Sequence, residues 1–285
     1  MKRWLLLLAA CSHEHERPPP PLHTALWDAV VLATPPGMSD LTLDDHGHLW
    51  AIPERDRVVV EMQPDGSQLV RHPLDGVPAG LDTEAITYLG DGKFAIGFEG
   101  QQTAAAGIYF ATLDPQRDRV VASTPRELTS AELGVDLVVN HGVEGICGHG
   151  DDVIAAIETV GNDGSRWAPL VRLRGGLLTV AKFRLTSDVG KLAALACTFA
   201  PDGTVDLRAI ERHYSVSRIL RATVPLGATE VVPTIDLDLN PVLHDSLNVE
   251  GLVVMPDGRY EAINDNQGSK VSGPTELLVF HAVRR

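Results

Sequence analysis

The chain has 285 residues, 44% of them hydrophobic, 22% charged and 5% aromatic, which excludes a mainly disordered protein and suffices for one large core or two small ones. Its 24 Lys and Arg against 38 Asp and Glu leave a formal charge of -14, which argues against a nucleic-acid partner, since that affinity rests on clustered basic side chains. The 26 glycines and 19 prolines punctuate the sequence into short elements and favour strands, and no apolar run reaches the roughly 18 residues that a membrane-crossing helix needs.

In chain order, the first segment is an address. Lys2 and Arg3 precede Trp4-Leu5-Leu6-Leu7-Leu8-Ala9-Ala10 and then Cys11, a positive start, an apolar stretch and small residues before a cysteine. Leu8-Ala9-Ala10-Cys11 resembles the lipobox of bacterial lipoproteins. Residues 1–10 are therefore expected to be a signal peptide, with a lipid on Cys11 holding the protein to a membrane of the bacterial cell envelope, periplasm-facing or surface-exposed. Residues 11–23, with Pro18-Pro19-Pro20-Pro21, read as an extended tether that cannot pack a core. His13 and His15 on that tether lack fixed geometry and read as solvated. The folded domain proper is expected over residues 24–285.

Within that domain three segments align. Asp82-Thr83-Glu84-Ala85-Ile86 leads to a turn at Asp91, Gly142-Val143-Glu144-Gly145-Ile146 to Asp151, and Asn248-Val249-Glu250-Gly251-Leu252 to Asp257. Each turn opens a second apolar strand that ends on a carboxylate: Glu99, Glu158 and Asp265 lie 15, 14 and 15 residues after their first glutamates. Two weaker copies run from Asp40-Leu41-Thr42 to Glu54 and from Leu195-Ala196-Cys197 to Glu211. Further strand-like runs lie between these hairpins, so each repeat of 40 to 60 residues, starting near 40, 82, 142, 193 and 248, holds about four strands, as a propeller blade does. The last repeat has only three, and residues 24–34 before the first blade supply the fourth, closing the ring and removing an open edge. The expected fold is all-β, a five-bladed β-propeller of four-stranded blades. Six blades would follow if residues 124–139 held another; Thr124-Pro125-Arg126-Glu127-Leu128 reads instead as a helical turn in an insertion. Cys147 and Cys197, inside apolar strands and without a C-x-x-C spacing, read as buried free thiols, with a bridge between them as the alternative.

First strands line a propeller's channel, so Glu84, Glu144 and Glu250 form a ring around its axis. Converging like charges need protons or a cation between them. Hard oxygen ligands, with Asp40, Asp82 and Asn248 nearby, suit Ca2+, whereas Zn2+ would want His or Cys. The other reading is that each glutamate braces the next blade through backbone N–H groups. The second series, Glu54, Glu99, Glu158, Glu211 and Asp265, is placed around one mouth, where Arg55 and Arg212 could orient an ester or phosphate while carboxylates activate water. Salt bridges between blades are the structural alternative. His141 and His149 read as solvated rather than as proton shuttles. The sequence has no G-x-S-x-G, H-E-x-x-H or G-x-x-x-x-G-K-[ST], which removes the usual serine hydrolases, zincins and P-loop enzymes.

Asn248-Val249-Glu250-Gly251-Leu252, Pro256-Asp257-Gly258-Arg259 and Asn264-Asp265-Asn266-Gln267-Gly268 resemble the closing motif of the phytase-like propeller family, and Val143-Glu144-Gly145-Ile146 and Asp40-Leu41-Thr42 are similar to its other blade motifs. The resemblance, over residues 39–285, implies an exported bacterial propeller that binds Ca2+ and hydrolyses phosphate or carboxylic esters. Leu195 and Ala194 depart from the acidic position in the fourth blade, and only five lysines are present where a polyphosphorylated substrate needs positive charge or several calcium ions. Two functions follow: a monomeric metal-dependent hydrolase of a small ester, with Glu84, Glu144, Glu250, Asp40 and Asn248 holding Ca2+ and Glu99, Glu158, Asp265, Glu54 and Arg55 as the catalytic set, or a non-catalytic propeller that binds a ligand or protein at the cell surface.

Overall fold

Strands that are apolar on both faces need cover on both sides, and sheets stacked around an axis provide it for one another. The computed structural model describes residues 25–241, 243, 247–267 and 273–282; the expected leader, Cys11 and tether lie outside the described residues. Five antiparallel four-stranded meanders surround a central channel. Blade 1 runs outward through Met38–Leu43, Leu49–Pro53, Val58–Met62 and Val70–Asp75. Blade 2 follows with Leu81–Gly90, Lys93–Gly100, Ala106–Asp114 and Arg119–Ala122, and blade 3 with Val143–His149, Asp152–Ile157, Arg166–Arg174 and Leu177–Arg184. Blade 4 is Lys191–Phe199, Val205–His213, Val216–Val224 and Thr234–Asp238. Blade 5 is Asn248–Val254, Tyr260–Asp265 and Glu276–Ala282, and its outer strand is Ala25–Val31, paired with Glu276–Ala282 over its whole length. The N-terminal strand thus closes the ring, as the repeat arithmetic requires.

The inner strands adjoin one another in ring order, each touching the next and the fifth touching the first. One apolar cluster fills each interface. Trp50, Ile52, Phe94 and Phe98 pack between blades 1 and 2, for example, and Leu192, Leu207, Ile154 and Phe183 between blades 3 and 4. Outer edges are partly covered: Leu74 and Asp75 pair in parallel with Val120 and Val121, and Lys182 and Phe183 with Glu230 and Val231.

Two local expectations need correction. Residues 126–128 are not helical: Arg126–Leu128 pairs with Ala106, Gly107 and Ile108, and the helical turn comes later, at Ser130–Leu133, where Thr129 and Glu132 form a reciprocal capping box. The insertion therefore extends blade 2 and adds no sixth blade. Cys147 and Cys197 are not free thiols. They form a disulfide with a Cα–Cα distance of 5.8 Å, joining the inner strands of blades 3 and 4, because these strands approach closely at the axis. The bridge lines a cavity of about 470 Å3 at the channel end remote from the carboxylates, with Leu43, Thr87, Tyr88 and Val254.

Candidate functional site

Each inner strand carries a β-bulge near its start. The register shifts between Met38 and Asp40, Thr83 and Ala85, Val143 and Gly145, Leu192 and Ala194, and Val249 and Gly251. The inserted residue is Ser39, Glu84, Glu144, Ala193 or Glu250 in blades 1 to 5, and bulges of this kind re-aim a side chain. The residue after it lies against the neighbouring blade: a Cβ added to Gly145 would sit 2.8 Å from the Ala194 carbonyl carbon, and one added to Gly251 2.8 Å from the Leu41 nitrogen. The ring position of blade 1 is thus Ser39, and that of blade 4 is Ala193, one residue before the positions that sequence alignment gives. Asp40 occupies the small-residue position. Its carboxylate is fully buried and accepts from Leu41 N at 2.8 Å and Ile86 N at 2.9 Å, which ties blade 1 to blade 2. Burial pushes its pKa well above the ordinary value, against these backbone hydrogen bonds.

Because second strands run antiparallel to first strands, their ends return to the same channel mouth. There the two series of carboxylates merge. Oxygens of Glu54, Asp82 and Glu84 lie within 4.8 Å of one another, and so do oxygens of Glu54, Glu250 and Asp265. Glu54 belongs to both sets. Burial, with the charges of Asp265 and Asp82, raises Glu54 to about 7. Burial likewise raises Glu84, helped by Glu99, Glu54 and Glu250, and raises Glu144, helped by Glu158, Glu84 and Glu99. Glu250 is pushed up to about 8 by burial, although Arg212 pairs with it. Asn248 donates its amide N–H to Glu250 at 2.9 Å and to Asp265 at 3.1 Å.

The other members of the second series take different work. Glu99 accepts from Gly142 N at 2.9 Å and is raised to about 7 by burial, with Glu158 and Asp82 adding to the rise. Burial also pushes Glu158 upward, but His141 at 2.6 Å and Lys191 at 2.8 Å outweigh it and hold its pKa below the ordinary value. Glu211, fully buried, accepts from the backbone and hydroxyls of Thr186 and Ser187 and is a latch between blades 3 and 4. Arg55, 58% exposed at its side chain, stands 3.4 Å from Glu54 and 3.8 Å from Asp82. His149, by contrast, is exposed at the far end of its strand, in line with a solvated histidine.

Eight carboxylates (Glu54, Asp82, Glu84, Glu99, Glu144, Glu158, Glu250 and Asp265) therefore meet Arg55, Lys191, Arg212 and His141 at one mouth. The excess of buried negative charge must be met by protons or a cation. The donor set is all oxygen and suits a hard dication. Beside it, between blades 4 and 5, is a recess of about 340 Å3 whose walls include Lys191, Arg212, Tyr214, Asn240 and Asn248. His141, read from the sequence as solvated, is instead half-buried and paired with Glu158, and Lys191 was missed as the second partner; the two come from the linker before blade 3 and from the next repeat.

Residues 23–155, a little under half of the chain, match the SdiA-regulated family. No curated protein sequence matches the chain. Among solved structures it is similar to the putative oxidoreductase (glucose dehydrogenase) of Thermus thermophilus, with a TM-score of 0.52 at 10% identity over 90% of this chain and 100% of that one. The major allergen Mala s 1 of Malassezia sympodialis gives a TM-score of 0.52 at 8% identity, over 89% and 95%. The PQQ-bound aldose sugar dehydrogenase of Streptomyces coelicolor gives 0.50 at 10%, over 90% and 99%. These likenesses are of fold. The closing motif of residues 248–268 that resembles the phytase-like family lies outside the matched segment.

Proposed function

We propose that the acidic mouth holds a divalent cation of the Ca2+ type and that the protein hydrolyses a small phosphate or carboxylic ester there. The observation that carries this reading is a half-buried Glu54 shared between two all-oxygen sets whose other members are buried. Glu54, Asp82, Glu84, Glu250 and Asp265 would hold the ion, while Glu144 adds field from the next blade. A dication bound there supplies Lewis acidity to an ester oxygen. The chain's own groups do the rest. Arg55 faces the anionic oxygens of the substrate. Glu99, with its pKa near 7, takes a proton from the attacking water and returns it to the leaving oxygen, while Glu158, held ionised by His141 and Lys191, takes no part in the proton transfer and contributes fixed negative charge beside it. The adjoining recess seats the substrate's remaining atoms.

The protein acts as a monomer, exported and lipid-anchored through Cys11 with residues 12–23 as tether. The Cys147–Cys197 bridge supports an oxidising compartment. Cys11→Ser should release the protein from membranes, and undiminished retention would contradict the anchor.

A panel of nitrophenyl esters and phosphates, assayed in Ca2+ and in chelator, tests the chemistry. Hydrolysis should need the ion and fall at least 100-fold in Glu99→Gln, a loss of the size that removing a general base brings. Equal rates in wild type, Glu99→Gln and Glu54→Gln would favour a propeller that binds its ligand without turnover. The engagement of Glu99 by the backbone that leads into blade 3, and of Glu211 by the connector between blades 3 and 4, is the observation on that side.

A further inference from the structure

A second group of ligating side chains lies at the opposite end of blade 1, on the turn between its first two strands and at the end of its third. His48 Nδ1 is 2.7 Å from Glu61 Oε1 and 3.8 Å from Asp44 Oδ2, and one donor atom from each of the three residues falls within 4.8 Å of the others. Around a four-coordinate Zn2+, with His and carboxylate ligands at about 2.0 to 2.2 Å, donor atoms stand roughly 3.3 Å apart. The separations from His48 straddle that value, so small side-chain rotations suffice.

The surroundings hold these groups in place. Asp44 Oδ1 accepts from His46 N and His48 N, both at 2.8 Å, which fixes the turn. Its Oδ2 accepts from the Trp50 indole at 2.9 Å. Glu61 keeps its other oxygen on His72 Nε2 at 3.1 Å, and His72 Nδ1 meets Asp118 at 2.8 Å. His72 is buried and stacks on Trp50 with ring centroids 5.0 Å apart. Both carboxylates are thus oriented from behind by buried rings, as outer hydrogen bonds orient the ligands of metal centres. His48 is one-third exposed, which leaves the fourth position open to water.

We infer that Asp44, His48 and Glu61 form a binding site for a first-row transition dication of the Zn2+ class, separate from the acidic mouth, with His72 as a positioning residue. Binding replaces the His48–Glu61 hydrogen bond, with the imidazole proton carried on Nε2 so that the Nδ1 lone pair faces the ion.

The test titrates the metal-free full chain with Co2+, read by the intense visible band of four-coordinate cobalt, followed by displacement with Zn2+. One Co2+ per chain is expected to give the band. His48→Gln should abolish it, and His72→Phe, which keeps the stack, should weaken binding about 10- to 100-fold. Glu54→Gln at the mouth and the His13→Ala/His15→Ala double variant on the tether should retain it. If His48→Gln does not fold by circular dichroism, Glu61→Gln replaces it with the same expectation. No band in wild type, a band that survives in His48→Gln, or one lost with His13 and His15 overturns the site.

Discussion

Glu54 is the residue on which the mouth turns, because its carboxylate is shared by both oxygen sets. Glu54→Gln keeps shape and removes charge, so Ca2+ affinity measured by calorimetry should fall at least tenfold, about 1.4 kcal/mol. Glu211 has a different fate although it belongs to the same series. Glu211→Ala leaves the donors of Thr186 and Ser187 without their acceptor and should destabilise the domain by about 3 kcal/mol in denaturant titrations, with Ca2+ affinity unchanged. Glu84, Glu144 and Glu250 were legible in the sequence because a glutamate before a small residue recurs at one distance from a turn aspartate. Ser39 and Ala193 were not, since a bulge has no residue signature and displaces the comparison by one position. Nor were His141 and Lys191, which reach Glu158 from the linker before blade 3 and from blade 4.

The bulged inner strand is the element that concentrates charge, and its second residue sets how closely blades approach. Gly145→Ala would push a methyl group against the Ala194 backbone. It should destabilise by about 1–3 kcal/mol, as overpacking does, and lower the thermal midpoint. The Cys147–Cys197 bridge ties two such strands across an interface, closing a loop of 50 residues. Intact mass before and after alkylation should show no free thiol in the described domain, and reduction should cost about 2–4 kcal/mol of stability. Recurring apolar hairpins made the blades readable, and the three-stranded last repeat made the closing strand readable. The reading of residues 124–128 as a helical turn failed because the capping signal lies in Thr129 and Glu132, and Arg126–Leu128 had an open edge of blade 2 to join.

Across the whole molecule the charge of -14 is unevenly placed, with eight carboxylates at one mouth. Glu54 and Glu99 are raised to about 7, Glu250 to about 8, and Glu84 and Glu144 are raised too. The folded state therefore binds more protons than the unfolded chain, and stability in chelator should fall as pH rises from about 5 through 8. Glu158, depressed by His141 and Lys191, opposes this only below its ordinary value. A dication replaces those protons, so its affinity should rise over the same interval, measurable as proton release in calorimetry. The most direct test of the account is thermal unfolding of the full chain at pH 8, after chelation, with and without Ca2+ at about 100 times its Kd. A ligand confined to the native state adds about 2.7 kcal/mol, so the midpoint should rise by roughly 5–10 °C and Glu54→Gln should lose at least about half of that rise at the same Ca2+ concentration. A midpoint unmoved by millimolar Ca2+, or an equal rise in Glu54→Gln, would contradict a cation site at the mouth.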